Sequence, residues 1–403
     1  MAEAAGRISR TWQNQVVLCD MAAPRRDLWR LAARTRLRAV PMKVEWPSAS
    51  VAAKPVFDRR RDGLAGLSGQ DDFQRTWIKT LSHNFPTLYL EGYEKARAMT
   101  LQRHGRLPSA IVSETGWYSS EPFKFLAAEA SELGVCLLAA QHGGSYGIRR
   151  AIPPERHEAD SSDAYVVWGW GAVGDGRYLN WPAPRPSALR IARRRAARRR
   201  VGTSLLFVAT ADPRYLHYFH SRPTGSQWES YFEWQHRFLA ALPAAVRSRV
   251  RFRANAGDFG QMVWPRIRER YPEIRPGSDG RFRGWMERSR LIVFDHCGTG
   301  MLEALNANVP TVAFWDPERW EVRAGAEADC HRLREVGILH DSPENAAAHV
   351  TVLFDAPERW WGEEIVQTAR LAFARRYGFE TEDWVGYWAR ELTGFCYGHR
   401  NRK

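Results

Sequence analysis

The sequence predicts an α/β protein with two Rossmann-like domains, each built on a parallel sheet. Three observations predict it. The stretch Arg290–Trp315 reads as strand, tight turn, helix and strand. Leu291–Phe294 is a short apolar run, as in a parallel strand buried on both faces. Asp295–Gly300 carries two glycines, Met301–Asn308 is rich in helix formers, and Pro310 ends the helix before the strand Thr311–Trp315. A second β-α-β unit lies in the first half: strand Ser109–Ser113, helix Glu121–Leu133 stopped at Gly134, strand Val135–Ala140, and the glycine-rich loop Gln141–Gly147. Finally, 403 residues at 44% hydrophobic content suffice for two α/β domains of ordinary size.

In chain order, residues 1–68 are the least defined. Only Gln15–Cys19 reads as a strand there, and the segment looks like an eroded N-terminal piece. Residues 69–188 form the first domain, with helices Asp72–Leu81 and Glu94–Gln102 before the β-α-β unit and strand Ser162–Trp168 after it. Glu114 and His142 follow strands that end on the same sheet edge. Residues 189–203 form a linker, in which Arg190–Arg200 holds seven arginines in eleven positions. That run reads either as a solvated linker or as a patch for anionic lipid or nucleic acid. Residues 204–375 form the second domain. It opens on strand Ser204–Ala209 and continues through helix Gln227–Leu242, strand Arg249–Arg253, and helices Met262–Tyr271 and Arg283–Ser289. After the 290–315 motif come helix Ala326–Val336, strand Ile338–His340, a helix capped by Ser342 and helix Trp361–Tyr377. Residues 376–403 are a C-terminal helix and tail.

The net charge of +14 suits anionic partners such as sugar nucleotides, phosphorylated lipids, membranes or nucleic acid. Five scattered cysteines with no C-x-x-C pair argue against a disulfide framework or a zinc site, and for a reducing cytosol. No apolar run reaches the ~18 residues of a membrane span, and the first 20 residues hold no signal-peptide core. The expected place is the cytoplasm, with peripheral contact at the inner face of the membrane. Some of the 18 tryptophans are expected to wall a cleft and stack on a base or sugar.

The helix after Gly298-Thr-Gly300 starts just past the carboxyl end of a strand. Its free N–H groups and positive dipole end therefore point at the crevice where open α/β sheets bind ligands. An anion such as phosphate fits there. The turn is not a dinucleotide fingerprint, because Glu303 stands where the third glycine belongs.

Three pieces together resemble a known group: Gln141-His-Gly-Gly-Ser-Tyr-Gly147, Asp163-x-Tyr-x-x-Trp-Gly-Trp170, and Asp295-x-x-Gly-Thr-Gly-x-x-Glu-Ala-Leu-Asn-x-Asn-x-Pro-Thr-x-x-Phe-Trp315. The chain is similar to bacterial transferases assigned to surface-carbohydrate biosynthesis, of GT-B-like architecture, and more distantly to capsule and teichoic-acid-type transferases. The resemblance covers about residues 70–375 and departs at the front, where family members have a longer N-terminal domain. It implies two Rossmann-like domains facing a cleft, the C-terminal one holding a nucleotide-activated donor and the N-terminal one meeting a saccharide or lipid-linked acceptor.

The expected donor site is Asp295 with the N–H groups of Gly298, Thr299 and Gly300 on the diphosphate. A helix N-terminus meets the charge that grows there as the nucleotide leaves. Glu303 is placed for ribose hydroxyls, and Arg253 and Arg222 are candidate phosphate clamps. His142 is either the general base or the fastener of its own loop. Glu114 is a second base candidate, or the group that orients His142. Gln141, Gly143, Gly144 and Gly147 form the acceptor-side loop, with glycines allowing close backbone approach. No metal and no cofactor is expected, since no metal-type Asp-x-Asp pair is present. The expected activity is transfer of a sugar or related group in cell-envelope polysaccharide synthesis. Two alternatives stand beside it: a non-catalytic module binding nucleic acid or anionic membrane, and a sugar-nucleotide epimerase of the same architecture. No specific nucleic-acid partner is expected, because no motif for one is evident.

Overall fold

The computed structural model describes residues 15–46, 53–56, 59–103, 107–172, 174–188, 202–215, 223–255, 257 and 259–400. The arginine run 190–200 and Arg222 lie outside the described residues. Among the described residues, twelve strands form two six-stranded parallel sheets flanked by helices.

The strands of the first sheet are β1 (Val16–Cys19), β2 (Ala39–Met42), β3 (Ala110–Ser113), β4 (Cys136–Ala140), β5 (Ala164–Val167) and β6 (Tyr178–Asn180), in the order β2-β1-β3-β4-β5-β6. The second holds β7 (Ser204–Val208), β8 (Val250–Arg253), β9 (Arg275–Pro276), β10 (Ser289–Phe294), β11 (Thr311–Phe314) and β12 (Leu339–His340), in the order β12-β11-β10-β7-β8-β9. By compactness the chain divides differently. Met1–Met21, Thr35–Leu138 and Leu392–Lys403 form one unit, and Ala22–Arg34 with Ala139–Glu391 form the other.

In the first unit, β1 is hydrogen-bonded in parallel on both sides, pairing Cys19 with Met42 of β2 and with Ser113 of β3. All four β1 residues are buried. Residues 1–68, expected to be poorly defined, thus supply two strands, and also the helices Arg25–Arg34 and Arg59–Ala65. Their order was hidden because four-residue strands leave no periodic trace, and because an arginine-rich helix hides a buried charge. Arg61 is fully buried and forks onto Glu91, with Nε to Oε1 at 2.6 Å and Nη2 to Oε2 at 2.9 Å. The helix Asp72–Asn84 starts where Asp71 accepts from the Gln74 N–H at 2.7 Å.

In the second unit, β10 lies between β7 and β11, with Phe294 opposite both Val208 and Ala313. Its apolar residues Leu291–Phe294 are fully buried, as expected for a strand covered on both faces. β7, β8 and β9 run to one side and β10, β11 and β12 to the other. The strand order therefore reverses between β7 and β10, the place where doubly wound sheets bind ligands. The expected single helix Trp361–Tyr377 is two, Pro357–Trp361 and Glu364–Tyr377. β6 lies in a proline-bearing stretch that gave no strand signal.

Candidate active site

β7 and β10 end level with each other, and the hydroxyl of Tyr231 ties their ends together. It accepts from the Thr210 N–H at 3.0 Å and donates to Asp295 Oδ2 at 2.7 Å. Tyr231 is presented by the helix Gln227–Ala241, which also sends Gln235 Nε2 to the same oxygen at 2.7 Å. Burial, reinforced by the Asp295 charge, pushes the Tyr231 phenol well above its ordinary range, so it stays a donor. The other oxygen of Asp295 sits 2.8 Å from Nδ1 of His296. Asp295 is 2% exposed, and these three bonds hold its carboxylate. It orients His296 rather than lying open to a ligand. With Nδ1–H donated to Asp295, Nε2 is the nitrogen left for chemistry. His296 also leans on Trp320, with ring centroids 5.9 Å apart.

Beside this turn is a small pocket at the carboxyl ends of β10 and β11. Its walls include Tyr231, Trp234, Asp295, Trp315, Arg319 and Trp320. Two N–H donors in these walls, Trp315 Nε1 and Arg319 Nε, are buried without a hydrogen-bond partner. A buried donor left unpaired costs ~1–3 kcal/mol, so the pocket is chemically suited to a ligand carrying acceptor oxygens. The guanidinium of Arg149 lies 4.6 Å from the ring centre of Trp320, and it donates to the Cys297 carbonyl.

The helix Thr299–Asn306 starts where the sequence placed it, but the turn before it is partly covered. The Gly144 N–H donates to Thr299 Oγ1 at 3.0 Å, and Ser145 Oγ donates to the Cys297 carbonyl at 3.2 Å. A Cβ on Gly144 would come within 2.7 Å of Thr299 Cα and 2.9 Å of Thr299 N. Glycine is required there because two backbones meet. Thr299 and Gly300 are partly exposed, and Gly298 is buried.

The glycine-rich loop is likewise built for bracing. Gln141 is fully buried: it donates to the Gly143 carbonyl at 2.7 Å and accepts from Trp168 N–H and Trp170 Nε1. Gly143 packs on Tyr146. Gly147 has φ +72°, a Cβ there would strike Trp170, and its N–H donates to Glu155. Glu155 in turn receives both bonds of Arg323, whose N–H donates to the Ile148 carbonyl. The ring nitrogens of His142 meet the Tyr146 hydroxyl at 3.2 and 3.4 Å, and Nδ1 lies 3.6 Å from Glu158. Burial lowers its pKa to about 4. Of the two expected roles, base or fastener of its own loop, this environment disfavours the charged ring and ties it to its loop. Glu114 follows β3 in the first compact unit and is 1% exposed.

The remaining donor candidates are committed or shifted. Arg253 donates from Nη1 to the Gly277 carbonyl at 2.9 Å and lies over Phe282, so its fork secures a loop. Glu303 is 5% exposed, with Oε1 3.3 Å from Arg185 Nη2. That approach is not aligned as a hydrogen bond, and Oε1 lacks one. Burial raises the Glu303 pKa, and Arg185 opposes the rise. The sequence reading missed Arg149, Arg319 and the support of Asp295 by Tyr231 and Gln235. The only trace was the tryptophan content, which pointed to stacking walls.

The sequence model of the LIC12162 family transferases matches residues 2–392. The chain belongs to this family of transferases. The match takes in the first 68 residues as well as the 70–375 region in which the motifs lie. No curated protein matches the chain. Solved structures with distant likeness include the wall teichoic acid polymerase TagF with CDPG (8% identity, TM-score 0.46, 100% of this chain and 93% of that one). Others are MurG of Acinetobacter baumannii (10%, 0.44, 96% and 99%) and the spinosyn forosaminyltransferase SpnP (11%, 0.46, 96% and 100%). At these levels no site residue is carried over from them.

Proposed function

We propose that this family transferase moves a sugar or related group from a nucleotide-activated donor to a saccharide or lipid-linked acceptor in cell-envelope polysaccharide synthesis. The observation that carries the proposal is the His296–Asp295 pair at the β7–β10 switch point, next to a pocket with two unpaired buried N–H donors. The pocket is small, so in this reading it contacts only part of a donor, with the rest lying along the turn. An acceptor oxygen bonds to the transferred group and gives its proton to solvent as the bond to the donor phosphate breaks, the electron pair leaving with the phosphate. His296, as the imidazolium paired with the Asp295 carboxylate, gives its Nε2 proton to that phosphate oxygen, while Nδ1–H stays on Asp295. The N–H groups of the partly exposed residues Thr299 and Gly300 meet the same growing charge in this scheme. No metal or cofactor is called for in this scheme. The proposed place is the cytoplasm, with peripheral contact at the inner membrane face favoured by the net charge of +14. Among the described residues no helix is long and apolar enough to cross a membrane.

Calorimetric titration with UDP, GDP, CDP and CMP tests this, with NAD and a short oligonucleotide as controls. Binding of one nucleotide family is expected. Binding of none, or of the oligonucleotide alone with loss at moderate salt, would contradict it.

A further inference from the structure

The helix Asp72–Asn84 of the first compact unit carries an aromatic side that the core does not use. Ile78 and Ser82 are buried and hold the helix to its neighbours. Phe73 and Trp77 lie off that side, 78% and 57% exposed. They are four residues apart, so they are neighbours on one face. Thr80 and Asn84 continue that face over the next turns, and both are exposed. The row Phe73, Trp77, Thr80, Asn84 holds no charged residue.

Cations line the adjoining flank. Arg75 and Lys79 are exposed and are also one turn apart. The two carboxylates at the start of the helix are engaged: Asp71 caps it, and Asp72 pairs with Arg75 at 2.7 Å. The helix Arg59–Ala65 packs against this one and exposes Arg59 and Arg60, with Asp62 as its one carboxylate. The size of the aromatic face decides between occupants. Two aromatic side chains bury at most about 500 Å², short of the roughly 800 Å² per partner that a stable protein interface takes. A bilayer asks for less: a few rings at headgroup depth, with cations over anionic lipid. Indole suits that depth, because its ring is apolar while its N–H seeks a wet partner.

We propose that this face is the protein's contact with an anionic lipid surface. The assignment rests on the membrane contact proposed above and gives it a place in the chain. Phe73 and Trp77 insert among the headgroups, and Arg75 and Lys79 lie over the lipid phosphates. At 13 residues the helix is well short of the ~20 that cross a bilayer, so it lies along the interface. Its binding draws on buried aromatic area and on charge together, so either can be removed separately.

The test is flotation of the full chain with two kinds of vesicle: phosphatidylcholine alone, and phosphatidylcholine mixed with phosphatidylglycerol. Tm and gel-filtration elution are measured alongside. The wild type should float with the anionic vesicles and far less with the neutral ones, and salt should weaken the binding. Phe73→Ser combined with Trp77→Ser should lower the partition coefficient about tenfold or more. Tm should hold, because both side chains are exposed. Lys79→Glu should lower partition about fivefold or more, and it alone decides if the double variant loses Tm. Equal binding by the wild type and both variants would move the contact elsewhere, as to the arginine run 190–200, and overturn this assignment alone. A wild-type dimer that the double variant dissociates would make the occupant a second copy and overturn the lipid assignment. A wild type that floats with neither vesicle would overturn the membrane contact as well, while nucleotide titration still judges the transferase reading.

Discussion

His142 and His296 occupy matching places. Each comes two residues after the end of a parallel strand, β4 and β10. Their surroundings differ. His142 faces the Tyr146 hydroxyl and Glu158, and burial lowers its pKa to about 4. Glu158 is itself fully buried and also receives the hydroxyls of Tyr146 and Tyr165. His296 is partnered by the carboxylate just before it, which Tyr231 and Gln235 hold from a separate helix. Distance from a strand end does not make a histidine reactive. The difference is that a hydrogen-bonded carboxylate fixes Nδ1 of His296 alone, whereas both ring nitrogens of His142 meet the Tyr146 hydroxyl and Glu158 stands off at 3.6 Å.

The contrast can be broken first at Asp295. Asp295→Asn keeps the shape but changes the partner of Nδ1, and turnover should drop about 10²–10⁴-fold with Tm changed little. Steady-state kinetics with thermal melts would show it, and a drop below tenfold would remove Asp295 from the mechanism. Next is the seam between the loop and the turn. Gly144→Ala forces a Cβ against the Thr299 backbone and should cost ~1–3 kcal/mol of stability by chemical denaturation. No loss would mean that the loop lifts away freely. Thr299→Val removes the acceptor of the Gly144 N–H and should cost about 1 kcal/mol in the same assay. The smallest effect is a slope. The folded pKa of His142 is depressed, so its contribution to stability is present above pH ~6.5 and is lost as pH falls toward about 4. His142→Gln should flatten that part of the Tm–pH curve. An unchanged slope would place the titrating group elsewhere.

The fold was legible wherever a strand was a short apolar run bounded by glycine, proline or polar residues. β3, β4, β7, β10 and β11 fall within a residue or two of the expected bounds. β2 and β6 were not legible, because a four-residue strand containing proline and a three-residue strand of mixed polarity leave no pattern above that of a loop. At the site, the sequence located the turn Asp295–Gly300 and the loop Gln141–Gly147 but not their contact. The bond from Gly144 to Thr299 spans 155 residues, and no local signal encodes a partner at that separation. Arg253 shows the same limit from the other direction. Its fork suits a phosphate, yet backbone carbonyls of a nearby loop occupy it. The orphaned donors of Trp315 and Arg319 emerge only once burial is known.

The central claim is that the turn after β10 carries the chemistry while the loop after β4 braces it. The most direct measurement is turnover of His296→Gln and His142→Gln side by side, with the nucleotide donor that binds the wild type. The account predicts a loss of at least about 10² for His296→Gln and less than tenfold for His142→Gln, with both proteins folded. The reverse ranking would contradict it.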